Sequence, residues 1–180
     1  MHCIQRTANK RTVPVKGASL CVLGRCAGAL LLLCFWAHTA GAQMSFAELD
    51  WQMTKEKKYV VVYIRSKHCT YCLMQEAQLR KNSHLKLRLE RDFYFVEGKA
   101  EEDSVIVFDH TAYGNPDPQN PRQVNDFVTV YGKDKEGMVG YPLWLYFDKN
   151  YRLLLRFYGL MPPENILKIL DRISAVSGEQ

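Results

Sequence analysis

Cys69 and Cys72 share one Cys-x-x-Cys motif, set between a β-branched and aromatic run at 59–64 and a helix-like segment that begins near Cys72. In such a pair at a helix start, the first sulfur sits at the terminus, where unpaired backbone N–H groups and the helix dipole favour a thiolate. Cys69 is therefore the candidate nucleophile. The second sulfur lies on the first turn behind it and can attack a mixed disulfide and release a partner, the two-step logic of thiol–disulfide exchange. Cys72 is the candidate resolving thiol. Competing uses of the pair fit less well. A zinc site wants about four ligands, and a haem attachment motif needs His directly after the second Cys, where this chain has Leu73.

These two thiols need a strand to deliver them and a helix to hold them. Residues 59–64, Tyr-Val-Val-Val-Tyr-Ile, carry apolar side chains at every position, as expected of a central strand buried on both faces. Arg65, Ser66 and Lys67 break out of it into the thiol loop. Before the strand, 44–58 reads as an amphipathic helix with Ser45 as its N-cap. After the thiols, a helix over 72–81 is interrupted at Asn82-Ser83 and resumes over 84–91 with leucines at 85, 87 and 89, read as core. Residues 93–96 form a second strand. The stretch 101–121 is irregular, with a short hairpin arm at 105–108 and a loop punctuated by Pro116, Pro118 and Pro121. Asn120-Pro121 predicts a helix start leading into 124–131, ended by Gly132. Two strands at 143–147 and 152–158, joined by Asp148-Lys149-Asn150, read as an antiparallel hairpin. A last helix opens at Pro162-Pro163-Glu164 and places Ile166, Leu167, Leu170 and Ile173 on one face.

The N-terminal 42 residues have a different character. Arg6, Lys10, Arg11, Lys16 and Arg25 precede an apolar run at 26–37, and His38-Thr39-Ala40-Gly41-Ala42 ends in small residues. Basic region, apolar core and A-x-A site predict a cleaved signal peptide over 1–42, with an uncleaved N-terminal anchor as the alternative, and an exported domain over 43–180 in either case. The apolar core is short against the roughly 20 residues of a bilayer span. Five of the chain's 24 Lys and Arg residues and none of its 19 acids lie in this segment, so the net charge of +5 belongs to the leader and the domain is balanced. That balance removes the case for nucleic acid or an anionic surface as partner. Cys3, Cys21, Cys26 and Cys34 also fall in the leader, which leaves Cys69 and Cys72 as the domain's only thiols. An exported domain with one close pair is not a disulfide scaffold.

The element order, with Cys-x-x-Cys after the first strand and Gly140-Tyr141-Pro142 before the hairpin, resembles the thioredoxin superfamily over roughly residues 45–173. The segment 127–147, Phe127-Val-Thr-Val-Tyr131-Gly132 through Met138-Val-Gly140-Tyr141-Pro142 to Phe147, looks like the thioredoxin helix, cis-proline turn and following strand. The resemblance implies an α/β thioredoxin fold: a central mixed sheet flanked by helices, with a hairpin and loop insertion (about 101–122) before the third helix. It also implies that Pro142 follows a cis bond and faces the dithiol, and that the Tyr141 backbone holds an extended substrate segment with its sulfur near Cys69. Ser66-x-x-Cys69-x-Tyr71-Cys72, the acidic insertion and Tyr158-Gly159-Leu-Met-Pro-Pro-Glu164 look like exported thioredoxin-related proteins of the Sox (sulfur-oxidation) type.

Departures from thioredoxin bear on tuning. The usual Trp before the first Cys is His68, the usual Gly-Pro between the cysteines is Thr70-Tyr71, and the buried Asp that accepts a proton in thioredoxins is replaced by Tyr63. A tyrosine is no base near neutral pH. Proton handling falls to water, His68 or another acid, for which Glu97 on the second strand is a candidate. A cationic His68 beside Cys69 favours the thiolate and an oxidising potential. The function implied is an exported thiol–disulfide oxidoreductase, periplasmic if the chain is bacterial and extracytoplasmic in any case. It acts on protein thiols and disulfides as a monomer, with a membrane electron-transfer partner and no cofactor beyond the Cys69–Cys72 disulfide. Whether it reduces, exchanges or forms disulfides stays open, and a dithiol oxidase of the disulfide-forming type is an alternative. The rival from another class is a redox-silent Cu(I) carrier using Cys69, Cys72 and His68.

Overall fold

A four-stranded sheet runs through the middle of the protein with helices on both faces. The structure is a computed structural model, and it describes residues 44–176; the leader expected at 1–42 lies outside the described residues. Helix α1 (Phe46–Lys55) is followed by β1 (Tyr59–Arg65), α2 (Thr70–Lys81), α3 (Ser83–Asp92) and β2 (Phe93–Lys99). A small hairpin, β3 (Ile106–Phe108) and β4 (Thr111–Tyr113), leads to α4 (Asp126–Gly132). Strands β5 (Leu143–Phe147) and β6 (Leu153–Tyr158) and helix α5 (Pro163–Val176) complete the chain. Strand order is β2-β1-β5-β6, with β1 parallel to β2 and antiparallel to β5, and β5 antiparallel to β6. This is the mixed α/β architecture expected from the sequence.

Strand alternation sorts β1 and β5 between two cores. Val60, Val62, Ile64, Leu143, Leu145 and Phe147 pack with α1, α4 and the small hairpin, while Val61, Tyr63, Trp144 and Tyr146 pack with α2, α3 and α5. Because both faces are covered, β1 and β5 have no polar position to spare, which is why their sequences are apolar throughout. Ser45 caps α1 as expected, its hydroxyl accepting the Glu48 N–H at 3.3 Å.

Two expectations are corrected. The helix expected to start at Asn120-Pro121 begins at Asp126, with Asn125 as its N-cap. Asn120 instead folds back locally, its side-chain oxygen accepting the Arg122 N–H at 3.1 Å. Asn125 is fully buried; its Oδ1 accepts the Phe127 N–H, and its amide NH₂ faces the carbonyls of Glu102, Ser104 and Tyr113 at 3.2–3.4 Å. Leu87, expected in the core with Leu85 and Leu89, is exposed, since only the latter two fall on the inner stripe of α3.

The 101–122 stretch is part of the fold. Ile106 and Phe108 are buried in the α1 and α4 core, where Phe108 meets Phe127, Tyr131, Phe147 and Tyr151 at centroid distances of 4.8–5.5 Å. Asp109 and His110 both take left-handed backbone between β3 and β4, the requirement of a two-residue turn that matches strand twist. The Asp50 carboxylate of α1 accepts both of their N–H groups, at 3.2 and 3.0 Å. No helix among the described residues is long and apolar enough to cross a membrane.

Candidate active site

β1 ends at Arg65, and the chain turns through Ser66, Lys67 and His68 before α2 begins. His68 adopts a left-handed conformation (φ 59°), which His tolerates better than bulky or β-branched residues, and its side chain is exposed. Cys69 is the N-cap of α2: its Sγ accepts the Cys72 N–H at 3.1 Å and its carbonyl accepts the Leu73 N–H at 3.2 Å. The sulfur therefore stands among the free N–H groups of the helix start, where negative charge is stabilised. Cys69 and Cys72 are joined by a disulfide, with Cα atoms 5.2 Å apart. Accessibility separates the two: Cys69 is half-buried and Cys72 only 2% exposed. Thr70 and Tyr71, between them, point outward.

Tyr141 and Pro142 lie at the same end of the sheet. In the β1–β5 ladder Ile64 faces Leu143, so the residue before Leu143 falls where β1 gives way to the thiol loop. The Tyr141–Pro142 bond is cis. Two glycines set this turn against β6. A Cβ on Gly140 would stand 3.0 Å from the Tyr158 Cβ, and Gly159, with φ +94°, donates its N–H to the Pro142 carbonyl at 2.7 Å.

Glu101 holds the thiol loop, and nothing in the sequence singles it out. It is 9% exposed, and its carboxylate accepts the Ser66 hydroxyl and the Lys67 N–H, the latter at 3.0 and 3.2 Å to its two oxygens. The Ala100 N–H beside it donates to the Arg65 carbonyl at 2.8 Å. Burial, with the Glu101 charge adding to it, pushes the Tyr141 phenol above its ordinary range. Within the run Glu101-Glu102-Asp103 nothing local marks Glu101 out.

Beneath the disulfide stands Tyr63, fully buried, its hydroxyl donating to the Cys72 carbonyl at 3.2 Å. Its ring packs on Trp144 at 4.8 Å. Burial first, then the Glu76 and Glu97 charges, raise its phenol far above the ordinary value against a smaller opposing effect of Arg65. At neutral pH Tyr63 is a hydrogen-bond donor and not a base. Glu97, the acid anticipated from the sequence, is next to Tyr63 in the β1–β2 register.

Gln75, three residues after Cys72 and fully buried, holds α2 from the other side. Its amide donates to the Met161 carbonyl at 3.0 Å and accepts the Met161 N–H at 2.7 Å, tying the cysteine helix to the segment between β6 and α5. A polar residue on the inner stripe Cys72, Gln75, Leu79 was the available signal for it. Among the described residues no group of three or more His, Cys, Asp or Glu side chains is placed to hold a metal ion.

Known proteins share this fold. A thioredoxin from Thermus thermophilus superposes with a TM-score of 0.52 at 17% identity, covering 73% of this chain and 85% of its own. A thioredoxin-fold protein from Helicobacter pylori gives 0.50, also at 17% identity, covering 65% of this chain and 69% of its own. At such identity these likenesses speak for the fold alone. No curated protein matches the chain in sequence. The pattern of the thioredoxin-like domain family matches residues 47–174, most of the chain, and the protein belongs to that family.

Proposed function

We propose that this protein is an exported thiol–disulfide oxidoreductase acting on disulfides or thiols of periplasmic protein partners. The observation that carries the reading is the asymmetry of the pair: Cys69 half-buried at a helix N-terminus, Cys72 sealed behind it. A partner sulfur reaches Cys69 and not Cys72, so Cys69 attacks and Cys72 resolves. Tyr141 and Pro142, at the same sheet end, present an extended partner segment through backbone hydrogen bonds. The export reading rests on the basic, apolar and small-residue pattern of 1–42, and the Sox-type likeness on the motifs around Cys69 and Tyr158. In an oxidising compartment a reductant of this kind draws electrons from a membrane partner, and the domain works as a monomer.

The test is trapping. Cys72→Ser leaves the nucleophile and removes the resolving thiol, so a stable mixed disulfide with the partner accumulates on non-reducing gels, while Cys69→Ser accumulates none. Equal trapping by both variants would contradict the order assigned to the sulfurs. Net direction is read from the reduction potential of the pair, where a value near about −270 mV favours reduction and one near about −120 mV favours oxidation.

His68, Thr70 and Tyr71 tune the pair from the exposed side. His68 precedes Cys69 directly, and its imidazolium form favours the thiolate. His68→Ala is expected to raise the Cys69 thiol pKa by roughly half a unit to one unit, measured by thiolate absorbance against pH. An unchanged titration removes His68 from the tuning set.

A further inference from the structure

The Cys72 thiol must lose its proton before its sulfur can attack a mixed disulfide, because the thiolate is the nucleophile. Cys72 is 2% exposed, which keeps bulk water away from it. The residue beneath, Tyr63, is held protonated and already donates to the Cys72 carbonyl. Two carboxylates act on the Tyr63 phenol, Glu76 from α2 and Glu97 from β2. Glu76 follows Cys72 by four residues on the same helix, so the two side chains are neighbours on one helix face.

Among the described residues, Glu76 Oε1 is a buried side-chain oxygen without a hydrogen-bond partner. The two cations beside the carboxylate stand beyond hydrogen-bond reach: Arg65 Nε is 3.7 Å from Oε1, and Arg80 Nη1 is 3.7 Å from Oε2. Native structures seldom leave a buried acceptor without a donor, and those that do so beside reactive groups commonly have a chemical use for it. The Cys72 thiol, once the disulfide is opened, is a buried proton donor one helical turn away on the same face.

Resting on the oxidoreductase reading above, we infer that Glu76 is the proton acceptor for Cys72 during resolution, in the role that Tyr63 cannot fill. The Glu76 carboxylate takes the proton from Cys72 Sγ. The thiolate attacks Cys69 Sγ, the Cys69–Cys72 bond forms, and the bond from Cys69 to the partner sulfur breaks. Its electron pair leaves with the partner, whose thiolate is protonated by solvent. The dithiol is oxidised by two electrons, the partner disulfide is reduced by two, and Glu76 returns its proton to solvent. In the opposite direction the Glu76 carboxyl protonates the departing Cys72 thiolate. The charges beside Glu76 are Arg80 from its own helix and Arg65 from β1, and Glu97 from β2 acts with it on the neutral Tyr63 phenol.

The experiment uses the reduced chain with the leader cysteines Cys3, Cys21, Cys26 and Cys34 replaced by serine, and a nitroaromatic disulfide reporter whose released thiolate is coloured. The first release reports Cys69 attack and the second reports Cys72 resolution. Glu76→Gln is expected to slow the second phase roughly tenfold or more at pH 7 and to leave the first within about twofold. The residual second phase then climbs with pH as hydroxide replaces the lost base. Glu76→Asp, which keeps a carboxylate, restores most of the rate. A second phase unaltered in Glu76→Gln, equal slowing of both phases, or slowing in Glu97→Gln with Glu76→Gln unaffected overturns the assignment while leaving the oxidoreductase reading intact. If the unsubstituted protein releases no colour in either phase, the oxidoreductase reading falls, and this one with it.

Discussion

Cys69→Ser is expected to bring catalysed disulfide exchange down to the rate of the protein-free control, measured as insulin reduction with a chemical electron donor. The sulfur at this position is the N-cap of α2, with the Cys72 N–H directed at it and the helix start behind it. Negative charge on a sulfur is favoured in that setting, and the thiolate is the attacking form. A serine hydroxyl there has no adjacent base to activate it and does not form the covalent intermediate. Cys72 cannot take over, because its sulfur is sealed under the helix turn. The loss is expected without unfolding. Serine is itself a favourable N-cap, and the disulfide that disappears spans a sequence separation of only 3, so its effect on unfolded-chain entropy is about 2 kcal/mol or less. A Cys69→Ser protein that still exchanged, beside an inert Cys72→Ser, would reverse the two roles.

Gln75→Ala is expected to destabilise the domain by about 3 kcal/mol, seen as a fall in thermal midpoint of about 10 °C. The side chain makes reciprocal hydrogen bonds with the Met161 backbone, and all of these groups are buried. Each bond contributes about 1 kcal/mol net, but removing Gln75 also strands the Met161 N–H and carbonyl away from water, where the desolvation penalty is larger than the bond itself. Gln75→Leu separates the causes. Leucine refills the volume and leaves the same backbone groups unpaired, so it should be nearly as damaging as alanine. A leucine variant restored to the original midpoint would mean that packing, and not hydrogen bonding, is what Gln75 supplies. Because Gln75 is on the helix that carries Cys72, the less stable variants should also show faster amide exchange in the first turn of α2.

Much of the fold was legible because its signals are local. A strand apolar at every position, Ser45 before an amphipathic run, the polar turn between the last two strands and the apolar stripe of the last helix each declare themselves within a few residues. The helix start read at Asn120-Pro121 fails for the same reason. Asn-Pro is a sound local signal, but Asn125 wins because its amide reaches three carbonyls of the 102–113 segment that only the folded chain brings to it. Leu87 fails likewise: an every-second-residue run of leucines on a helix cannot all face one side.

The candidate site divides along the same line. By itself, the sequence determined where the two sulfurs stand, since two cysteines at this spacing after a buried strand place one at a helix start and the other a turn inside it. It also named Pro142, His68 and the missing acid at Tyr63. Tertiary structure alone decided what surrounds them. Glu101 is one acid of three in a row until the sheet end sets it under Ser66 and Lys67, and Gln75 finds its partner 86 residues away. Glu76 is an ordinary helical glutamate until β1 closes over it and leaves one oxygen buried without a donor. Periodicity and caps are written within one or two turns of chain, whereas the burial of a charge is a property of the elements that pack around it.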